Sequence, residues 1–242
     1  MYHLLTGLYE HLTRKDEYSV VIIGLDNAGK TTMLEKIKTL YNPIPGMPAD
    51  KIGPTVGQNI GKISLPSTTL HFFDLGGQRD IRQIWEKYYD ECHAVVFVVD
   101  AGDQGRLSEC WEVFDTVLTS PRLLNLPLLL LANKQDTPTS LSPAEVRESF
   151  DAWHRARSES DLNDSLNLDP DANPDGENVS GDNIGGNTAR PMRLSDVDGA
   201  KAERMASLDV LGVSALTGDG VKDAVTWLYA RVRNARRIGD RD

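Results

Sequence analysis

Cysteine is scarce in this 242-residue chain: Cys92 and Cys110 are the only two, and no C-x-x-C spacing joins them. Both sit in apolar surroundings and are expected to be buried free thiols in a reducing cytosol. Long apolar runs are missing as well, so no segment reaches the length needed to cross a bilayer. No secretory leader is expected ahead of Asn163-Asp164-Ser165 or Asn178-Val179-Ser180, so these sequon-like triplets read as coincidences of an Asn/Ser-rich tract. From Ser158 to Ser207 there is no aromatic residue, no cysteine and no histidine, while Asp, Asn, Ser, Gly and Pro dominate. Such a stretch cannot bury enough apolar surface to offset its chain entropy, and residues 158–207 are expected to form a disordered acidic insertion. An insertion of this kind costs little, because closure entropy grows only with the logarithm of loop length.

Positive charge is in deficit, with a net charge of −10. Ten acidic and two basic side chains lie between residues 158 and 198, so most of the excess belongs to the insertion. The remainder is close to neutral and ends in a basic turn with Arg231, Arg233, Arg236 and Arg237. A nucleic-acid partner is not expected. Asp171-x-Asn173-x-Asp175-Gly176, with Asp182 twelfth, imitates a calcium loop, but Pro170 and Pro174 break the flanking helices such a loop requires.

What the chain has is a set of turns that follow apolar strands. Val20-Val21-Ile22-Ile23 leads into Gly24-Leu25-Asp26-Asn27-Ala28-Gly29-Lys30-Thr31, which fits G-x-x-x-x-G-K-[ST]. Successive N–H groups of this P-loop, backed by a helix N-terminus, form a cradle for phosphate oxygens. Lys30 would reach the β- and γ-phosphates, and the Thr31 hydroxyl would ligate Mg²⁺. Leu70-His71-Phe72-Phe73 leads into Asp74-Leu75-Gly76-Gly77-Gln78. There Asp74 would hold magnesium through water, the Gly77 N–H would approach a γ-phosphate, and Gln78 would orient the attacking water. Leu128-Leu129-Leu130-Leu131-Ala132 leads into Asn133-Lys134-Gln135-Asp136, where a buried Asp136 carboxylate would accept from the N1–H and exocyclic amine of guanine and reject adenine. Val210–Val213 leads into Ser214-Ala215-Leu216-Thr217-Gly218, with the Ala215 N–H set to meet guanine O6. Together these motifs imply a guanine-nucleotide pocket.

The chain resembles the Arf and Arf-like small GTPases. The likeness rests on the P-loop through Thr32, on Pro54-Thr55-Val56-Gly57 as switch I, on Asp74–Gln78 as switch II, and on Trp85 and Tyr88. It covers about residues 1–154 and 208–235, and Met1-Tyr2-His3-Leu4-Leu5 with Lys15-Asp16-Glu17-Tyr18 points to the Arf-related-protein branch. The resemblance implies GTP and GDP as ligands, Mg²⁺ held by Thr31 and Thr55, and Thr32 and Leu216 as further nucleotide-binding positions. It also implies a switch that works with an exchange factor, a GTPase-activating protein and effectors at Golgi membranes.

The expected fold is α/β, a doubly wound, mostly parallel six-stranded sheet with an antiparallel edge hairpin and an N-terminal amphipathic helix. Strands are expected near 19–24, 59–65, 69–74, 94–100, 127–132 and 209–213. Helices are expected over Lys30–Leu40, Ile81–Tyr88, Leu107–Thr119, Pro143–Arg155 and Val221–Arg236. The GTPase domain would span 17–154 plus 208–237, as a monomer. Met1, Leu4, Leu5, Leu8, Tyr9 and Leu12 give residues 1–14 an amphipathic period. This helix is either packed permanently on the domain or, as in the family, ejected in the GTP form to insert at a membrane surface. The family's myristoylated glycine is replaced by Tyr2, so a second anchoring signal such as a membrane-protein receptor is expected.

No arginine lies between Tyr41 and Val56 to serve as a finger in cis, so unaided hydrolysis is expected to be slow, on the order of 10⁻³ s⁻¹ or less. Gln58 and Phe73 stand where Arf proteins carry Phe and Trp. Either the apolar effector anchor is weakened or these are neutral edge-strand substitutions. Two competing classes are a nucleotide-dependent binding module that does not hydrolyse, which Gln78 disfavours, and a metabolic kinase, which Asn133–Asp136 disfavours.

Overall fold

A computed structural model describes residues 15–166, 199, 201 and 205–239. The expected N-terminal helix at 1–14 and the calcium-like stretch at 171–182 lie outside these residues.

Residue alternation explains the layers. In strand β1 (Asp16–Ile23), Val21 and Ile23 enter one apolar cluster while Val20 and Ile22 enter another. Strand β4 (Ala94–Asp100) repeats the division, with Val95, Phe97 and Val99 opposed to Ala94, Val96 and Val98. Strand β5 (Leu128–Asn133) is buried along its whole length. Strands covered on both faces read as continuous apolar runs, which is how parallel strands flanked by helices are built. The sheet order is β2–β3–β1–β4–β5–β6, with β2 (Gln58–Ser64) antiparallel to β3 (Thr68–Leu75) at one edge and β6 (Asp209–Gly212) at the other. The remaining pairs are parallel. The expected six-stranded sheet and edge hairpin are therefore present. β1 lies between β3 and β4, so the chain leaves it in opposite directions and opens a crevice at its carboxyl end.

Helices α1 (Lys30–Tyr41) and α4 (Val221–Gly239) cover one face through Met33, Leu34, Ile37, Val225 and Leu228. Helices α2 (Leu107–Leu118) and α3 (Pro143–Leu166) cover the other through an aromatic cluster. There the Phe114 ring lies 4.8 Å from Phe97 and 5.0 Å from Phe150.

Two expected helices differ. Ile81–Tyr88 is not one helix but a 3₁₀ turn (Arg82–Ile84) followed by a short helix (Glu86–Tyr89). Trp85, at the junction, is buried and donates its indole N–H to the Gly76 carbonyl at 2.9 Å, which holds the segment against switch II. α3 runs past Arg155 to Leu166 and so takes up Ser158–Leu166, which composition had assigned to the disordered insertion. Its start is well specified: Ser142 and Glu145 cap each other, with the Glu145 carboxylate 2.8 Å from Ser142 N, and Pro143 follows the cap. No glycine or proline interrupts the chain from there until Pro170, so nothing local stops the helix at Arg155. The returning chain is pinned by Arg147, whose guanidinium donates to the carbonyls of Met205 (2.7 Å) and Leu208 (2.9 Å) just before β6.

Candidate functional site

The P-loop, switch I and switch II converge at the crevice. A cavity of about 380 Å³ is lined by Asp26, Asn27, Gly29, Lys30, Thr31 and Thr32 from the P-loop, by Thr55, and by Gly77 and Gln78. Gly29, at the N-cap of α1, has φ +91°, and a Cβ there would overlap the Asn133 amide. Gly77 is required for closeness: a Cβ would stand 2.5 Å from both Leu25 C and Lys30 Nζ. Gln78 is exposed at the rim, directly after that contact.

At the floor of the cavity the Thr31 hydroxyl donates to Asp74 Oδ2 at 2.6 Å. Since Thr31 has spent its one proton there, the Thr55 hydroxyl at 2.7 Å donates to Thr31 Oγ1. Thr55 Oγ1 is also 3.5 Å from Asp74 Oδ2. Asp74 is fully buried, and its second oxygen, Oδ1, has no hydrogen-bond partner. Burial pushes the Asp74 carboxyl up, against the pull of Thr31 and Lys30. Two hydroxyls and one carboxylate, with one of its oxygens orphaned, form an all-oxygen corner that suits a hard divalent cation. Among the described residues no group of three His, Cys, Asp or Glu side chains exists to cage a metal alone.

Lys30 is buried and donates to the Leu25 carbonyl at 2.7 Å. Desolvation pulls its ammonium down to about 8, opposed by the nearby Asp74 and Asp26 carboxylates. Beyond its bond to the Leu25 carbonyl the buried ammonium has further protons to offer, and phosphate oxygens would accept them.

The base-recognition motifs meet beside this cavity but are differently exposed. Asn133 is a buried brace: its Nδ2 donates to the Ala28 carbonyl at 2.7 Å and its Oδ1 accepts from Ala215 N at 2.9 Å. One side chain thus ties the P-loop to the Ser214–Gly218 turn. The Ala215 N–H, expected to meet guanine O6, donates to Asn133 here and would have to be shared with the base. Asp136, expected to be buried, is exposed, and the Ser214 hydroxyl orients it by donating to Oδ1 at 2.5 Å. Lys134 adopts φ +65° and pairs with Asp100 Oδ2 at 2.5 Å, while Leu216 stands on the rim, 55% exposed. Gly24 lies at the head of the P-loop, buried under β4, as its place after β1 demands.

Several residues that shape the site were not legible in the sequence. Arg106 donates to Asp26 Oδ1 at 2.8 Å and to Glu109 Oε2 at 3.1 Å, and Arg82 bridges Glu109 Oε1 and the Gly77 carbonyl, both at 2.8 Å. Glu35, buried in α1, accepts from Lys38 Nζ (2.6 Å), Met47 N (2.7 Å) and Asn59 Nδ2 (3.3 Å), which anchors the loop leading to Thr55. The contacts from Arg106 to Asp26, from Arg82 to Glu109, and from Glu35 to Met47 and Asn59 carry no local signal, because those partners are distant in sequence. Gln58 is engaged by the Tyr88 hydroxyl at 2.5 Å, and the Tyr88 ring lies 5.6 Å from Phe73. The two substituted positions therefore still form one cluster with Tyr88.

Comparison with known proteins gives a consistent picture. The model of the ADP-ribosylation factor family matches residues 4–163. Human ADP-ribosylation factor-related protein 1 is 49% identical over 151 residues, covering 62% of this chain and 75% of the human one. Saccharomyces cerevisiae ADP-ribosylation factor-like protein 3 is 35% identical over 238 residues, covering 98% of this chain and 96% of the yeast one. Among solved structures, the Trypanosoma brucei Arl6 small GTPase, determined with the nucleotide analogue GppNp bound, superposes with a TM-score of 0.58 at 25% identity. That superposition covers 90% of this chain and 99% of the Arl6 chain.

Proposed function

Because this chain belongs to the ADP-ribosylation factor family of small GTPases, and is thus a GTP-binding switch and GTP hydrolase, we propose that it cycles between cytoplasm and Golgi membranes to recruit effectors in vesicle traffic. The observation that carries the switch reading is the reach of Thr55 into the corner made by Thr31 and Asp74. Switch I and switch II are also joined directly, with Gly76 N donating to the Gly57 carbonyl at 3.0 Å. A loop that closes on a phosphate-and-cation corner and opens without it converts nucleotide state into shape.

In this reading the P-loop amides of Asp26, Asn27, Ala28 and Gly29, with Lys30, bind the phosphates of GTP. Thr31 and Thr55 would hold Mg²⁺ through their hydroxyls, and Asp74 would hold it through water. Mg²⁺ held by these residues would neutralise the charge that builds on the transferred phosphate. Gln78 orients the attacking water, and the Gly77 N–H donates to the γ-phosphate. Asp136, steadied by Ser214, selects guanine, with Asn133, Lys134, Ala215 and Leu216 shaping the base site. Arg82 and Arg106, which approach the site, are both committed to protein partners, so intrinsic turnover should be slow. A GTPase-activating protein and an exchange factor are therefore required partners. Effectors would read the exposed apolar side chains of Val56 and Ile60 beside the Gln58–Tyr88 pair.

No helix among the described residues is long and apolar enough to cross a membrane. We assign residues 1–14 to the amphipathic membrane or receptor contact, 17–154 plus 208–237 to the GTPase domain, and the acidic stretch within 158–207 to an insertion. The test is membrane partitioning of Gln78→Leu against Thr31→Asn protein in fractionated cells. Gln78→Leu should pellet with Golgi membranes and Thr31→Asn should not. If both remain in the supernatant, the membrane role is wrong while the GTPase assignment stands.

A further inference from the structure

We propose that Arg82, gripped through Glu109 and Arg106 from Asp26 of the P-loop, is a positioning residue that fixes the backbone of Gln78. The inference rests on the reading above in which Gln78 orients the attacking water.

The peptide between Gly77 and Gln78 is held by its carbonyl, which accepts Arg82 Nε at 2.8 Å. The N–H of the same planar peptide belongs to Gln78, so this bond sets the plane from which the Gln78 side chain departs. Arg82 is itself held: its side chain is 14% exposed, and Nη2 donates to Glu109 Oε1 at 2.8 Å. The other Glu109 oxygen accepts from Arg106 Nε and Nη2, both at 3.1 Å, and Arg106 Nη2 continues to Asp26 Oδ1 at 2.8 Å. Negative and positive groups alternate along the chain and leave it neutral.

This arrangement also resolves a problem posed by Asp26. Its carboxylate belongs to a residue lining a cavity meant for phosphates, where a free negative charge would repel the substrate. Arg106 neutralises it, and in doing so turns a liability into an anchor for switch II. The P-loop and switch II consequently meet twice. One meeting is the direct approach of the Gly77 backbone to Leu25 and Lys30, and the other is the four-residue ionic chain across α2.

Individual half-exposed ion pairs contribute little to stability. Here the effect falls on placement, and displacing a catalytic group by about 1 Å can cost about 100-fold in rate. Phosphate binding by Lys30 and the P-loop amides does not pass through Arg82. Breaking the chain should therefore slow hydrolysis without loosening the nucleotide. A lysine cannot replace Arg82, because one ammonium lacks the planar fork that reaches a carbonyl and a carboxylate together.

The test uses the full chain, purified as wild type, Arg82→Lys, Glu109→Gln and the double variant. Single-turnover GTP hydrolysis, release of a fluorescent GDP, and hydrogen–deuterium exchange of the peptide 76–82 are measured on each. Each single variant is expected to hydrolyse about tenfold more slowly, to release GDP within about twofold of wild type, and to exchange faster over 76–82. The double variant should be no slower than the slower single one, because both act through one chain. Single variants that hydrolyse within about twofold of wild type would overturn the proposal alone. So would a double variant slowed by the product of the two, unchanged exchange over 76–82, or GDP release that accelerates as much as hydrolysis slows. A wild-type chain that binds GTP and never hydrolyses it would overturn the Gln78 reading, and this proposal with it.

Discussion

The phosphate half and the base half of the site sit side by side at the ends of neighbouring strands, yet they are constructed on opposite terms. In the phosphate half polar groups are buried without full satisfaction: Lys30 is desolvated, and Asp74 Oδ1 has no protein partner. The base half has its buried Asn133 bonded to protein at both amide atoms, while the groups that would read the base, Asp136 and Leu216, stand exposed. Buried polar groups left unpaired are costly, so the first half is poised to bind whatever supplies an anion and a cation together. The second is a preset surface whose selectivity comes from hydrogen-bond pattern rather than from burial in the free protein. Affinity should therefore reside mainly in the phosphates and discrimination in the base.

Lys30→Met offers the most severe break of that comparison. Removing the buried ammonium should weaken GTP and GDP binding by at least about 100-fold, the scale of losing charge-assisted hydrogen bonds to phosphate. Equilibrium binding of a fluorescent guanine nucleotide would read it, and a loss below about fivefold would mean the phosphate half does not carry the affinity. Asp136→Asn should act on the other half. It replaces an acceptor with an amide that faces the guanine N–H groups with its own donor, so GTP affinity should fall by about 10- to 100-fold while ATP affinity stays put. Equal losses for the two nucleotides in competition binding would show that Asp136 supports the pocket and does not select the base.

The smallest effect is one of pH. In the free protein Lys30 titrates near 8, below the ordinary lysine range, because burial disfavours its charge. Phosphate favours the charged form and raises that value. Below pH 8 the side chain is charged both free and bound, so binding moves no proton at this group. Above pH 8 the free protein has lost the proton that the complex keeps, so binding takes one up and affinity falls by up to about tenfold per pH unit. Titration calorimetry at pH 9 in buffers of different ionisation enthalpy should show proton uptake that is absent at pH 7. Equal uptake at both values would remove desolvation as the organising feature of the phosphate half.

The parts of the site legible in the sequence are those built from a single turn. Gly24–Thr31, Asp74–Gln78 and Asn133–Asp136 each encode their own backbone path and follow an apolar strand. Their placement at strand ends followed once the strands were recognised. Even there, local reading misjudged environment, since Asp136, expected to be buried, proved exposed. Helix boundaries were legible where punctuation exists, as at Ser142-Pro143, and lost where it does not, as in the run of α3 through Ser158–Leu166.

By itself, then, the sequence determined which groups are candidates to bind the ligand, the alternation of strands and helices, and the apolar runs that became β1, β4 and β5. These depend on residue periodicity and on turns of a few residues. Only the tertiary structure decided that Glu35 would hold the loop before Thr55, that Asn133 would brace the P-loop against the last turn, and that Asp26 would grip switch II through Arg106, Glu109 and Arg82. Those pairings join residues far apart along the chain. A charged side chain's partner is fixed only when sheet order and helix packing have brought the distant segments together.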